Sequence, residues 1–212
     1  MGILLVTAVE AEAEAIGEIP GARVIVAGLG RTNAAAATTE ALLAGVSRPI
    51  VLSVGVAGAL PGSDLAIGEA VAASACVYAE EGLAGPDGFH DVTAIGFPLG
   101  DFVGNAVPVD QRVLGALGGI FRSAPIATVA TCSGTDAAAA EVVRRTAACA
   151  EAMEGAAVVH AARRLGAPAG ELRVISNTTG NRPDQHWDLR AALAALRPTV
   201  VTAVEALLGM PE

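Results

Sequence analysis

The chain has 212 residues and a formal net charge of −9, and all 13 of its basic residues are Arg. That length suits one α/β domain whose core needs neither disulfides nor metal, and an acidic balance argues against nucleic acid, which needs a basic patch to neutralise phosphate. No run of ~18 apolar residues is free of charges or turn residues, and no basic stretch precedes the first apolar run, so neither a membrane span nor a secretion signal is expected and the chain reads as cytoplasmic.

Along the chain, short apolar runs bounded by Gly or polar residues predict strands over Ile3–Thr7, Arg23–Ala27, Ile50–Val54, Glu69–Tyr78, Ile126–Thr131 and Leu172–Ser176. Helical patterns lie between several of them, over Thr32–Leu43, Asp136–Arg145, Glu154–Leu165 and Leu189–Leu208. The stretch Ala79–Val107, rich in Gly, Pro and Asp, reads as loops and short strands of the same unit. Hydrophobic residues make up 53% and aromatics only 3%, so Ala, Val, Leu and Ile must build the core. Strands alternating with helices predict a single domain over residues 1–212, with a largely parallel sheet covered on both faces.

Ligands of such sheets bind at the carboxyl ends of the strands. The residues that follow the apolar runs are Glu10 and Glu12, Gly28-Leu29-Gly30, Gly55-Val56-Ala57-Gly58, Thr131–Gly134 and Ser176-Asn177. Gly28-Leu29-Gly30-Arg31-Thr32-Asn33 imitates a dinucleotide-binding turn, but Asn33 stands where the third glycine belongs and no acid ends the next strand. It reads better as a tight turn. Glu10, Glu12 and Glu14 suit the first turn of a helix, where acids favour the macrodipole. Glu154 is stranger, because one carboxylate interrupts an apolar run that otherwise looks buried, and an unpaired buried carboxylate is costly. Hydroxyls of a ligand would satisfy it. Cys76, Cys132 and Cys149 have no metal-ligand spacing and read as small buried hydrophobes, so no metal is expected. His160 falls on an apolar helix face and reads as a packing histidine with its hydrogen bonds met. His90 and His186 have no Ser or Cys partner for a triad.

Met153-Glu154-Gly155-Ala156-Ala157 resembles the signature of the nucleoside phosphorylase and nucleosidase superfamily. Ala8-Val9-Glu10-Ala11-Glu12, Gly28-Leu29-Gly30-Arg31, Gly55-Val56-Ala57-Gly58 and Leu65-Ala66-Ile67-Gly68-Glu69 resemble, in order, segments of its hydrolytic branch, the methylthioadenosine/S-adenosylhomocysteine nucleosidases. The resemblance implies a three-layer α/β/α fold around a mostly parallel, mixed sheet of the nucleoside phosphorylase type. Ser176-Asn177, followed by Arg182 and Trp187, departs from the Ser-Asp of the adenine-specific enzymes and resembles the futalosine hydrolases, which release hypoxanthine from futalosine in menaquinone synthesis. The departure has a physical rationale. An Asp can pass a proton to an adenine N7, whereas an Asn amide offers one acceptor and two donors, which matches N7–H and O6 of a 6-oxopurine.

By the same resemblance, Glu12 activates the attacking water, Glu154 binds the ribose hydroxyls and steadies a ribosyl cation, and Asn177 holds the leaving base. Met153 packs on the sugar, Ser176 orients Asn177, and Val56, Ala57 and Gly58 line the substrate site. Arg182 and Trp187 are expected to pair with and stack on the aryl carboxylate beyond the ribose 5′ carbon. No cofactor is implied. The partners are a nucleoside and water, within a homodimer or larger assembly. The alternatives are a methylthioadenosine-type nucleosidase, disfavoured by Asn177; a 6-oxopurine nucleoside phosphorylase, disfavoured by acids where phosphate would sit; and a nucleoside-binding protein, which need not keep both Glu12 and Glu154.

Overall fold

The computed structural model describes residues 2–45 and 49–210; Met1, residues 46–48 and residues 211–212, which the one-domain expectation also takes in, lie outside the described residues. At its centre is an eight-stranded sheet. Strand β1 (Ile3–Thr7) is buried along its whole length and pairs in parallel with β2 (Ala22–Val26) on one side and β3 (Ile50–Ala59) on the other. An unbroken apolar run such as Ile-Leu-Leu-Val is what a strand covered on both faces requires.

β3 organises the site. One of its edges runs first along β1 and then, at Gly58 and Ala59, along the short β9 (Ala150–Ala152). Its other edge pairs with β10 (Ala169–Thr178) from Val51 to Ala59. β10 continues to β4 (Ala70–Tyr78), β4 to β8 (Arg122–Thr128), and β8 returns to β9, so these five strands close on themselves. β7 (Ala106–Pro108) adds antiparallel to β4, and β5 (Gly82–Gly85) with β6 (Gly88–Asp91) forms a separate hairpin. The sheet is therefore mixed, with parallel and antiparallel pairings, as expected.

Six α-helices surround the sheet among the described residues: α1 (Glu10–Ile16), α2 (Arg31–Ala44), α3 (Gln111–Gly118), α4 (Asp136–Thr146), α5 (Gly155–Arg164) and α6 (Leu189–Leu208). The first turn of α5 starts against β10 because Gly155 has no side chain; a Cβ there would collide with the carboxyl of Glu171. α6 is long and apolar enough to cross a membrane on length and composition, with a mean hydropathy of 1.5. In the fold it packs on β10, α1 and α3 through a stripe that includes Leu196, Val200, Val204 and Leu207. Arg197 ties it down by donating to the carbonyls of Ile16 and Glu18.

Several expected bounds shift. β3 runs through Gly55–Gly58 and β10 through Asn177, so these are strand residues rather than loops after strands. β8 begins and ends earlier than Ile126–Thr131, because Val129–Thr131 already leave the ladder. α3 and β9 are additional elements. β9 has three residues, Ala-Glu-Ala, too short to show a period.

Candidate active site

Three of the buried carboxylates, Glu12, Glu154 and Glu171, gather around one cation, Arg173. Glu12, on the first turn of α1, is 4% exposed. Its Oε2 accepts from the N–H groups of Ala8 at 3.0 Å and Val9 at 3.3 Å, and its Oε1 accepts from Val56 N at 2.9 Å. A carboxylate has about four acceptor positions, so one on Oε1 stays free. Close approach to β3 is possible because residue 55 is Gly; a Cβ there would run into Glu12 Oε1 and lie 2.8 Å from an Arg173 nitrogen. Only Glu12 departs from the expected solvated helix start, since Glu10 is exposed.

Glu154 caps the start of α5 and is buried. Gly30 N donates to its Oε1 at 3.0 Å, while Met153 N at 3.3 Å and the Arg173 guanidinium at 3.5 Å reach Oε2. Gly28 and Gly30 hold the preceding turn with φ of 92° and 89°, which glycine alone adopts freely, and Asn33 closes it by donating to Leu29 O at 2.8 Å. The dinucleotide-like turn thus serves to aim an N–H at Glu154.

Arg173 is the residue the sequence reading missed. It is 1% exposed, pairs with Glu171 at 2.8 Å, donates to Ser53 Oγ at 3.0 Å and touches Glu154. Burial works against its charge, but Glu171, Glu154 and Glu12 more than offset it, so the guanidinium stays protonated. Burial holds the Glu171 carboxyl above the usual range, with Arg173 opposing, and its Oε2 has no hydrogen-bond partner among the described residues. In the sequence, Arg173 looks like one polar residue of an alternating strand. Its signal is the pattern Glu171-x-Arg173 inside a strand otherwise apolar to Ile175.

The second half of the site lies further along β3, where Val56 and Gly58 are separated by about 7 Å of strand. Here a cavity of about 270 Å³ is lined by Gly58, Ser133, Glu151, Asn177, Arg182 and Trp187, among others. Between Ile175 and Asn177 the register of β10 slips against β3, a local irregularity of the kind that re-aims side chains beside active sites. Ser176 Oγ lies 2.8 Å from Asn177 Oδ1 and 3.2 Å from Ala57 O, and Asn177 Nδ2 donates to Thr178 O at 2.9 Å. The Thr178 carbonyl therefore fixes which end of the amide is which. One N–H and one carbonyl lone pair are left for a ligand.

Gln185 binds the lining together. It donates to the carbonyls of Ser133 and Gly180 and accepts from Arg182 and from the Trp187 indole at 2.8 Å. The Arg182 guanidinium stacks on Trp187, 4.5 Å from the ring centroid. Glu151 is buried and accepts from Ser133 N at 2.7 Å and Ser133 Oγ at 2.6 Å. Burial raises its pKa, Ser133 opposes the shift and Glu80 adds to it.

The structure brings Glu12, Glu154 and Val56 together at one end, and Gly58, Ser176 and Asn177 at the other. Met153 and Ala57 join the two. Arg182 and Trp187 stand beside Asn177 in the lining of the same cavity. Cys132 is exposed and lines the same cavity, so the expectation of three buried cysteines holds for Cys76 and Cys149 only. His160 packs edge-on against Tyr78 and Phe102 as expected, but its Nε2 is buried without a hydrogen-bond partner among the described residues. A wider hollow of about 590 Å³ beside His90, Arg144 and Arg145 has its arginines already paired with Glu141 and its histidine with Asp87. Among the described residues, no group of three or more His, Cys, Asp and Glu could hold a metal ion.

The phosphorylase superfamily matches residues 10–208, nearly the whole chain. The chain belongs to the phosphorylase superfamily. Within it, the chain is 38% identical to the futalosine hydrolase of Acidothermus cellulolyticus, over 91% of this chain and 86% of the relative. It is 35% identical to that of Streptomyces coelicolor, over 94% of both. The solved futalosine hydrolase of Helicobacter pylori superposes with a TM-score of 0.73, at 20% identity, over 98% of this chain and 95% of that one, which speaks for the shared fold.

Proposed function

We propose that this protein is a nucleosidase that hydrolyses the N-glycosidic bond of futalosine, releasing hypoxanthine and dehypoxanthine futalosine on the route to menaquinone. The observation that carries the reading is the fixed amide of Asn177. With Nδ2 turned toward Thr178 O and Oδ1 toward Ser176, the free N–H suits O6 and the free lone pair suits a protonated N7 of hypoxanthine. An adenine would set its amino group against that N–H. The kinship with two futalosine hydrolases over nearly the full chain supports the same substrate.

The geometry supports the remaining roles of this reading. Bond cleavage leaves positive charge on the ribose and negative charge on the base. The carboxylates of Glu12 and Glu154, held by backbone amides before substrate arrives, are preorganised for that cation. Glu154 keeps a lone pair on Oε1 for a ribose hydroxyl. Glu12, with its one free position, takes the proton of the attacking water as general base. A phosphate nucleophile would face the Glu12 charge at short range. Met153, Val56, Ala57 and Gly58 line the path between the two ends, Trp187 offers a half-exposed ring for the base to stack on, and Arg182 backs that ring. The reading takes a nucleoside and water as reactants, calls on no cofactor, and places a homodimer or larger assembly in the cytoplasm.

Base release from futalosine, inosine and methylthioadenosine, each with and without phosphate and followed by chromatography, tests it. Hypoxanthine released from futalosine at the same rate with or without phosphate is the expected result. Release of adenine from methylthioadenosine without cleavage of futalosine would overturn it.

A further inference from the structure

We infer that Glu151 is a second specificity residue of the base site, accepting a hydrogen bond from N1–H of the 6-oxopurine that Asn177 holds. The inference rests on the base site proposed above and extends it to a residue on a different strand.

Gly58 of β3 is paired in register with Asn177 of β10 on one side and with Glu151 of β9 on the other. Directly opposed residues of neighbouring strands project their side chains on the same face. Two strand spacings put the Asn177 and Glu151 backbones about 10 Å apart. Glycine between them leaves the floor of that slot open, and a Cβ at Gly58 would come 3.1 Å from Asn177 Nδ2 and 2.8 Å from Thr179 Cγ2. The cavity lining contains all three residues. Two polar side chains thus face each other across a glycine gap.

A 6-oxopurine presents N7, O6 and N1–H in sequence around one edge. Asn177 has one acceptor and one donor left, which serve N7–H and O6. N1–H lies on the far side of O6 and needs an acceptor on the opposite wall. Glu151 supplies it: each of its oxygens receives one bond from Ser133, so lone pairs remain for a third donor. Ser133 is itself buried and has both its N–H and its hydroxyl committed to Glu151, so the carboxylate is aimed before any base arrives. Adenine has a bare N1 acceptor at this place and would meet the carboxylate lone pair against lone pair.

Glu151→Gln separates this role from a structural one. The glutamine carbonyl can keep Ser133 N and its NH2 can donate to Ser133 Oγ, which leaves one N–H turned into the cavity. Against N1–H that is donor facing donor; against adenine N1 it is a match. We expect kcat/KM for futalosine to fall about 100-fold while that for its 6-amino counterpart falls little or rises, since unpaired polar groups give the strongest discrimination. An equal loss on both substrates, or no loss on futalosine, would overturn the inference and leave Glu151 as a brace for Ser133. Calorimetric binding of free hypoxanthine and adenine to the wild type and the variant repeats the test without the reaction. If futalosine proves not to be a substrate of the wild type, that second measurement still decides: hypoxanthine affinity unchanged in Glu151→Gln sinks the Glu151 assignment, and a reversal of base preference sustains it. On the wild type, 1-methylhypoxanthine binding as tightly as hypoxanthine would also overturn it.

Discussion

The two ends of the site are built in different ways. At the ribose end the working groups are carboxylates held by main-chain N–H groups from four separate places, Ala8–Val9, Gly30, Met153 and Val56, around a cation wholly inside the fold. At the proposed base end they are amides, a hydroxyl, an indole and the single carboxylate of Glu151, tied mostly to one another through Gln185 and Ser133, with Trp187 half exposed. The first arrangement cannot change without disturbing the core. The second can be altered one side chain at a time. Stabilising a ribosyl cation demands fixed charge, whichever base departs, while recognition of the base needs only a few correctly aimed donors and acceptors.

The sharpest way to break this contrast is at Arg173. Arg173→Met leaves Glu171 and Glu154 buried without their cation, and removing one partner of a buried pair costs about 3–5 kcal/mol. The unfolding midpoint, followed by circular dichroism, should fall by roughly 6–20 °C for a chain of this size, with activity lost in parallel. Replacing Glu171 by Gln in the same background should recover part of the loss. An unchanged midpoint would mean that the ribose end does not depend on its cation. Next in size, Glu12→Gln removes the proposed general base while keeping the shape and most of the backbone bonds. Its kcat should drop by about 10²–10⁴-fold with KM and the melting curve close to wild type, and a loss confined to KM would argue for a binding role instead.

Those two residues also mark how far the sequence alone could be followed. Glu154 stood out because a carboxylate inside an apolar run is energetically odd, whereas Glu12 and Asn177 were singled out by the family resemblance. Arg173 and Glu151 were not. Arg173 lies mid-strand, where a polar residue reads as the solvent face, and its partners Ser53, 120 residues away on β3, and Glu154, at the start of α5, are brought in by the fold. Glu151 belongs to a three-residue strand whose pairing with Gly58 depends on the ring closure of β3, β10, β4, β8 and β9, which no local period encodes. Gly55–Gly58 was placed after the strand, since the apolar run stops at Val54; in the fold each glycine makes room for a neighbouring polar side chain. Chain order past Asn177 likewise does not say on which side of it the Arg182–Trp187 segment folds back. Asn181 anchors that segment to Asp136 through bonds of 2.6–3.1 Å, a contact across 45 residues.

At the base end, the expected effects are smaller and specific to substrate. Trp187→Ala removes the exposed ring, and base–aromatic stacking lost to alanine is worth about 1–3 kcal/mol. KM for futalosine should rise about 10-fold with the melting curve unmoved, and Arg182→Ala, which strips the cation from the back of the ring, should give a weaker version of the same change. A fall in thermal stability as large as that of Arg173→Met would erase the distinction between the two ends.

The smallest effect concerns pH. Burial is the main reason the Glu151 carboxyl titrates above its ordinary range, with Ser133 opposing and Glu80 adding to the shift. A carboxyl whose pKa is higher in the folded chain than in the unfolded one binds its proton more tightly when folded. Its contribution to stability is therefore complete below the unfolded value, about 4.3 for Glu, and is lost as pH rises through the folded value. Glu151→Gln has no proton to lose. The variant should melt at a higher temperature than the wild type at pH 8, and the gap should close as pH falls toward the ordinary glutamate range. A gap that is constant with pH would show that Glu151 keeps one protonation state throughout. A gap that widens on acidification would mean that the Ser133 bonds outweigh burial, making this carboxylate as firmly charged as those at the ribose end.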